Sequence, residues 1–272
     1  MKVSVFGLGY VGCVSLGCLS NDNNSTIGVD IDESKIEKIN KGIPTVKEKD
    51  LNKLVKDGVK KKLIKATNNF KLAVLKTELS IICVGTPSLE NGELNLKYIY
   101  RVARDIGLSL KYKNSFHTIS IRSTINPGTT LKIKSIIENN SGKKNDKDFS
   151  IVVNPEFLRE GSAVYDYYNP PLILIGHSSN KSKKIISKLY ENFSCKKIFV
   201  DIESSEIIKY VNNTFHALKV SFANEIGRIC KVLNIDSQNI MNILCEDNKL
   251  NISSYYLKPG FRKKVTLFIT MK

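Results

Sequence analysis

The chain has 272 residues, of which 42% are hydrophobic, and its formal net charge is +16. No stretch approaches the roughly 18 consecutive apolar residues of a membrane-spanning helix, and the apolar run at the N-terminus is too short for a secretory signal. These features argue against an integral membrane protein and predict a cytoplasmic one. The excess positive charge comes almost entirely from scattered Lys residues, which favours a solvated surface over a nucleic-acid interface.

The cysteines and histidines do not indicate a metal site. No two cysteines form a Cys-x-x-Cys pair, and the three histidines are far apart in the sequence. Each cysteine lies in an apolar segment, so most of the thiols are predicted to be buried and reduced. The residues concerned are Cys13, Cys18, Cys83, Cys195, Cys230, Cys245, His117, His177 and His216.

Short apolar runs alternate with helix-like stretches along most of the chain. This alternation is typical of βαβ units and predicts an α/β fold, with a Rossmann-type, doubly wound, mostly parallel sheet. Helices are predicted at residues 11–19, 34–40 and 96–110. Strands are predicted at residues 2–6, 27–30, 78–84, 118–121, 150–153, 172–175 and 197–200.

A single long helix is predicted for residues 203–233, which contain no evident helix breaker. A helix of about 30 residues is long for a globular domain, so we expect it to join two domains. It is also a natural surface for a homodimer or a higher homo-oligomer. Asp236 is a good N-cap for a further helix at residues 237–245, and the two helices predict a partial all-α dimerisation domain.

Residues 7–12 read Gly-Leu-Gly-Tyr-Val-Gly, a GxGxxG motif between a predicted strand and a predicted helix. Asp30 follows 18 positions after Gly12, at the end of the second predicted strand. In this context the motif indicates dinucleotide binding, with the diphosphate at the helix N-terminus and Asp30 on the ribose hydroxyls. Because Asp30 would repel a 2′-phosphate, NAD is favoured over NADP. The alternative is a glycine turn that serves only helix packing.

Polar side chains follow three further predicted strands. The segments are residues 83–87 (Cys-Val-Gly-Thr-Pro), 122–129 (Arg-Ser-Thr-Ile-Asn-Pro-Gly-Thr) and 154–161 (Asn-Pro-Glu-Phe-Leu-Arg-Glu-Gly). The carboxyl ends of parallel strands are where open α/β sheets bind ligands. Each segment alone is equally consistent with ordinary turn chemistry.

Taken together, these motifs resemble the UDP-glucose/GDP-mannose dehydrogenase family over residues 1–261. The resemblance rests on residues 6–12, 82–87, 154–160 and 206–213. Residues 216–217, 222–227 and 249–251 point to the GDP-mannose branch, which serves alginate and polysaccharide biosynthesis. The resemblance implies an oxidoreductase that uses NAD to oxidise the C6 alcohol of a nucleotide sugar twice, through a thiohemiacetal and a thioester on a cysteine.

The resemblance also implies roles for individual residues. Thr124, Glu160, Lys209 and Asn213 match catalytic positions. Lys209 and Asn213 lie four apart on one helix, where a cation beside an amide donor suits an oxyanion at C6. The NAD-binding positions are Gly7, Gly9, Tyr10, Val11, Gly12, Asp30, Lys35, Thr86 and Thr124. The substrate-binding positions are Glu160, Lys209, Asn213, His216, Asn224, Tyr255, Tyr256, Lys258 and Phe261.

The chain departs from the family pattern near its end. No cysteine follows Cys245, and Ser254 and Lys258 replace the Arg residues of the GDP-mannose branch. We expect an NAD-binding domain at residues 1–200, an incomplete central helical domain at 201–261, an aberrant tail at 262–272 and no C-terminal nucleotide-sugar domain. A shifted reading frame followed by an early stop would explain this pattern, and impaired catalysis is expected.

Three functions remain open from the sequence. The first is a GDP-mannose 6-dehydrogenase, with UDP-glucose as the alternative substrate. The second is a non-catalytic module for NAD binding and dimerisation. The third, a complete Rossmann dehydrogenase of another type such as a 3-hydroxyacid dehydrogenase, is disfavoured by the motifs at residues 154–160 and 249–261.

Overall fold

The computed structural model describes residues 1–247, which divide between Val211 and Asn212 into two units. The first unit is built on one sheet of eight strands in the order β3-β2-β1-β4-β5-β6-β7-β8. All neighbouring strands are parallel except β6 and β7. The strands are β1 (Lys2–Phe6), β2 (Ser25–Val29), β3 (Ile64–Thr67), β4 (Leu79–Ile82), β5 (His117–Ile121), β6 (Phe149–Val153), β7 (Leu172–His177) and β8 (Lys196–Val200).

Helices cover both faces of this sheet. One core cluster includes Leu16 and Ile81 and lies on the side of α1; the other includes Ile106 and Phe149 and lies on the side of α5. The helices are α1 (Tyr10–Asn21), α2 (Glu33–Asn40), α3 (Leu51–Lys60), α4 (Phe70–Lys76), α5 (Lys97–Leu110), α6 (Thr129–Ser141), α7 (Ala163–Tyr168), α8 (Asn180–Lys188), α9 (Ile202–Leu233) and α10 (Ser237–Cys245).

The predicted fold class is confirmed, and the central strands show why the sequence revealed it. Every residue of β4, β5 and β6 is buried, because a parallel sheet with helices on both faces leaves no solvent-facing side. These strands are rich in β-branched apolar residues and also bury a few Ser, Thr and His side chains. The sequence reasoning did not predict β3, an edge strand of four residues (Ile-Lys-Ala-Thr) that buries alternate side chains only.

The first turns of α9 are anchored to the sheet by two polar side chains. The Ser205 hydroxyl donates to the carbonyl oxygen of Val153 over 3.0 Å. Glu206, which is 1% exposed, accepts the N–H groups of Gly128 and Thr130 over 2.7 and 2.8 Å. Because Gly128 is the N-cap of α6 and has no side chain, Glu206 supplies the cap that α6 lacks.

The second unit contains the rest of α9 and α10. Asp236 caps α10, as predicted, and accepts the N–H of Gln238 over 2.9 Å. Among the described residues, none of the helices combines the length and the apolar character that a membrane crossing requires. The same residues contain no group of three or more His, Cys, Asp or Glu side chains that could hold a metal ion.

A buried polar network connects the neighbouring strands β1, β4 and β5. The Nε2 atom of His117 lies 2.8 Å from the Ser80 hydroxyl, which lies 2.7 Å from the Ser4 hydroxyl. Burial and, to a smaller extent, the nearby charge of Lys113 together lower the pKa of His117 from 6.5 to about 3. The ring is therefore neutral in the folded protein at neutral pH.

Stability is predicted to fall as the pH drops from 6.5 towards 3, because the unfolded chain then binds a proton at His117 that the folded chain does not. Between pH 7 and pH 4.5, protonation of His117 in the unfolded chain should lower the unfolding free energy of the wild type by about 2–3 kcal/mol. Urea unfolding of the wild type and of His117→Gln at both pH values measures this loss of unfolding free energy. The variant should lose less stability over the interval, and His216→Gln, at an exposed site, should behave like the wild type. Equal losses in all three proteins would contradict the prediction.

Candidate active site

The turn between β1 and α1 brings three glycines together, and each has its own reason to lack a side chain. Gly7 has φ +93°, and a Cβ there would lie 2.9 Å from the carbonyl oxygen of Cys83. A Cβ on Gly12 would lie 1.8 Å from the carbonyl oxygen of Gly7. Both glycines therefore permit close backbone packing.

Gly9 is different, because a Cβ there would meet nothing within 4 Å. It is the N-cap of α1, and no side chain caps the free N–H groups of the first helical turn. An uncapped helix start beside open space suits an anionic group such as a diphosphate. Packing alone accounts for Gly7 and Gly12 but leaves Gly9 unexplained.

Asp30 lies at the carboxyl end of β2, beside this turn. Its carboxylate accepts the N–H groups of Leu8 and Asp32 over 2.7 and 3.0 Å, and Lys35 Nζ lies 3.5 Å away. The Asp30 side chain is only 8% exposed, so its orientation is fixed by these contacts. Oδ2 accepts from both Leu8 and Lys35, whereas Oδ1 accepts only from Asp32 among the described residues and retains a lone pair for a ribose hydroxyl.

A cleft of about 390 Å³ opens between the glycine turn and Asp30. The predicted residues Gly7, Gly9, Asp30 and Lys35 line it. This volume falls within the range of small-molecule sites and accommodates a nucleoside. Phe70, Tyr98 and Arg101 are among the lining residues that the sequence did not indicate, and they lie in α4 and α5 outside any motif.

The turns after β4 and β5 are joined through the two predicted threonines. The Thr86 hydroxyl donates to the carbonyl oxygen of Thr124 over 2.9 Å. Behind them the buried Arg122 donates to Ser15 of α1 over 3.0 Å and to Asn154 after β6 over 2.9 Å. The segments at residues 83–87, 122–129 and 154–161 therefore form one connected edge, as the parallel topology predicts.

Lys209 faces a carboxylate that the sequence reasoning did not select. Its Nζ donates to the Glu156 carbonyl oxygen over 2.6 Å and to Glu156 Oε1 over 3.1 Å. Both side chains are largely buried, at 11% and 14% exposed. Glu160, the predicted catalytic carboxylate, is exposed and has no hydrogen-bond partner among the described residues. Glu156 stands in the same motif, so the motif located the loop and the structure distinguishes its two carboxylates.

The first residue of α1, Tyr10, contacts a loop outside the glycine turn. Its hydroxyl donates to Glu48, and the Gly161 N–H donates to the same Glu48 oxygen over 3.0 Å. Burial and the neighbouring Glu48 raise the pKa of Tyr10. Burial opposes ionisation of Glu48, but the hydrogen bonds from Tyr10 and Gly161 outweigh it and lower the pKa of this carboxyl. Val11, by contrast, packs against the core.

The remaining predicted substrate residues lie beyond the first unit. Asn213, His216 and Asn224 are exposed on the part of α9 that belongs to the second unit. Four other predicted residues fall outside the described part of the chain, together with Ser254 and the tail at 262–272. These four are Tyr255, Tyr256, Lys258 and Phe261.

The glycine turn, the capless start of α1 and Asp30 define a dinucleotide-binding α/β domain. Residues 1–194 match the NAD binding domain of the UDP-glucose/GDP-mannose dehydrogenase family, and residues 203–263 match its central domain. The chain therefore belongs to the UDP-glucose/GDP-mannose dehydrogenase family, whose members are NAD-dependent nucleotide-sugar dehydrogenases. The match confirms the predicted family and the predicted cofactor, NAD.

Individual relatives show the same likeness. The chain is 46% identical to the GDP-mannose 6-dehydrogenase of Pseudomonas syringae pv. tomato over 96% of its own length and 60% of the relative. It is 36% identical to the UDP-glucose 6-dehydrogenase TuaD of Bacillus subtilis, over 95% and 55%. A ternary complex of GDP-mannose dehydrogenase from Pseudomonas aeruginosa superposes with a TM-score of 0.94 at 44% identity, over 96% and 60%. The chain thus spans about 60% of the length of these GDP-mannose relatives.

Alanine at two of the glycines should separate packing from ligand binding. Gly12→Ala forces a Cβ against the Gly7 carbonyl oxygen and should lower the unfolding free energy by about 2–4 kcal/mol. Gly9→Ala adds a methyl group in open space, so the free protein should lose no more than about 1 kcal/mol. NAD affinity, measured by calorimetry, should nevertheless fall at least about tenfold for Gly9→Ala because the methyl group obstructs the diphosphate. Unchanged NAD affinity in Gly9→Ala would contradict this assignment.

Proposed function

We propose that this chain carries the NAD site and part of the sugar site of a GDP-mannose 6-dehydrogenase, which oxidises GDP-mannose to GDP-mannuronate in two hydride transfers. The observation that carries the proposal is the buried Lys209–Glu156 pair at the sheet edge that also carries the dinucleotide turn. The higher identity to the GDP-mannose enzymes, 46% against 36%, favours GDP-mannose over UDP-glucose as the substrate.

Different residues at this edge of the sheet are assigned to different parts of the ligands. Bound NAD supplies the hydride acceptor. The free N–H groups at the start of α1 bind the diphosphate, and Asp30 accepts hydrogen bonds from the ribose hydroxyls. Thr86 holds the carbonyl of Thr124 in place and leaves the Thr124 hydroxyl for a substrate or water proton.

Lys209 and Glu156 are suited to the chemistry at C6. The Lys209 ammonium group can stabilise the negative charge that develops on the sugar C6 oxygen as its proton is removed, and loss of hydride to NAD then converts that oxygen into the neutral carbonyl of the aldehyde. Glu156 lies against that ammonium group and can accept the hydroxyl proton. Asn213 is proposed to add an amide donor and Glu160 to orient a sugar hydroxyl.

A thiol for the second oxidation is not evident among the described residues of this edge. Cys83 lines the cleft but is only 8% exposed, and burial raises its pKa to about 12. A thiol in that state is a poor nucleophile at neutral pH. The groups at this edge therefore support the first oxidation, from the alcohol to the aldehyde, more directly than the covalent step.

The assay mixes the chain with NAD and GDP-mannose and follows reduced-cofactor absorbance while the aldehyde and the acid are quantified separately. Reduction of NAD should depend on GDP-mannose and exceed that with UDP-glucose, and Lys209→Met should slow it by about 10²–10³. Lys132→Met, at an exposed site on α6, is the matched control. NAD binding in Lys209→Met confirms that the variant folds.

Two results would change the proposal, and a third would extend it. NAD binding without any reduction of NAD would favour the non-catalytic module. Reduction of NAD with UDP-glucose but not with GDP-mannose would reassign the substrate. Steady formation of the acid would show that a thiol or its equivalent acts in this chain.

We also propose that α9 joins two copies of the chain. The second-unit part of this helix exposes large apolar side chains, among them Leu218 at 62%, Phe222 at 50% and Val232 at 85%. Apolar side chains repeated along one helix are typical of an interface between subunits. Sedimentation equilibrium should give a dimer or a larger assembly; a monomer at tens of micromolar would contradict this proposal.

A further inference from the structure

The backbone on the amino side of Glu160 is fixed by an ion pair. Arg159 donates its backbone N–H to Asp166 over 2.9 Å and its Nε and Nη2 groups over 3.1 and 2.7 Å. The Ser162 hydroxyl donates to the same carboxylate over 3.0 Å. Because three N–H groups of Arg159 donate to the Asp166 carboxylate, the peptide bond between Arg159 and Glu160 has little conformational freedom.

The backbone on the carboxyl side of Glu160 is fixed by Glu48. The Gly161 N–H donates to Glu48 Oε2 over 3.0 Å, and the Tyr10 hydroxyl donates to the same oxygen. The Tyr10 hydroxyl oxygen also lies 3.4 Å from the Arg159 carbonyl oxygen. Glu48 is partly buried in the loop before α3, 113 residues from Gly161 in the sequence.

These contacts leave Glu160 with a held backbone and a free carboxylate. The N–H groups of Arg159 and Gly161 on either side are paired, while the Glu160 side chain is exposed and has no hydrogen-bond partner in the described part of the chain. A group held in this way is prepared to bind a ligand without a large loss of conformational entropy. Tyr10, which also binds Glu48, is the first residue of α1, and the diphosphate is proposed to bind at the N-terminus of this helix.

We propose that Glu48 is a positioning residue that couples the two half-sites: it holds Tyr10 at the cofactor turn and Gly161 beside the sugar-binding carboxylate Glu160. This inference rests on the proposed function for the roles of the two half-sites. Glu48 itself touches neither ligand. Occupation of the NAD site restricts Tyr10 and, through the shared Glu48 oxygen, stabilises the Gly161 N–H bond and the loop that carries Glu160.

Hydrogen exchange of the Gly161 amide, measured by mass spectrometry with and without NAD, tests the coupling. In the wild type, NAD should slow exchange in the peptide that spans residues 156–162. Glu48→Ala should speed exchange without NAD by about tenfold or more, because a charge-assisted hydrogen bond is lost. It should also abolish the additional protection by NAD.

Two further variants separate coupling from a loss of structure. Glu48→Gln keeps an acceptor oxygen and should restore much of the Gly161 protection and of its response to NAD. Glu37→Ala removes an exposed carboxylate of α2 that, within residues 1–247, pairs only with Lys41, and it should match the wild type in both measurements.

The proposal is wrong if exchange at Gly161 is the same in Glu48→Ala and in the wild type. It is equally wrong if NAD still protects Gly161 in Glu48→Ala as it does in the wild type. Failure of the wild type to bind NAD at all would instead contradict the proposed function, and exchange in the free protein would still decide whether Glu48 holds the loop.

Discussion

The arrangement of the site depends on the closeness of two backbone segments at Gly7 and Gly12. A methyl group at Gly12 would lie 1.8 Å from the Gly7 carbonyl oxygen, so α1 can pack this tightly on the end of β1 only without a side chain there. The close packing starts α1 directly at the carboxyl edge of the sheet, with its first N–H groups uncapped. Because Gly9 faces open space at that point, the close packing of α1 on β1 also leaves room for a ligand beside the first turn of α1.

The parallel topology brings the other functional segments to the same edge. Each strand of a right-handed βαβ unit runs in the same direction, so the segments that follow the strands converge although they are distant in sequence. Thr86 and Thr124 meet over 2.9 Å, and Arg122 joins Ser15 of α1 to Asn154 after β6. The start of α9 then adds Lys209, because Glu206 and Ser205 anchor that helix to the sheet.

Features that depend on residues close together in the sequence could be predicted from it, and contacts between distant segments could not. The glycine turn, Asp30 and the long helix are specified by local patterns, and the buried strands by short segments rich in Ile and Val, so all were predictable. Strand β3 was missed because it has only four residues, too few for its alternation of buried and exposed side chains to stand out in the sequence.

The contacts that the sequence could not specify join distant segments. Glu48 acquires its role from Gly161, 113 residues away, and Glu206 from the start of α6. The motif at residues 154–161 contains two glutamates, and only the position of Lys209 distinguishes them. Phe70, Tyr98 and Arg101 line the cleft because α4 and α5 pack beside it, and no local pattern identifies them.

The central claim is that the glycine turn and Asp30 form an NAD site. Calorimetric titration of the wild-type chain with NAD and with NADP tests it most directly, since the two ligands differ only in the 2′-phosphate that Asp30 should repel. We expect the wild-type chain to bind NAD, and to bind NADP at least about tenfold more weakly. Equal affinity for the two ligands, or no binding of NAD, would contradict it.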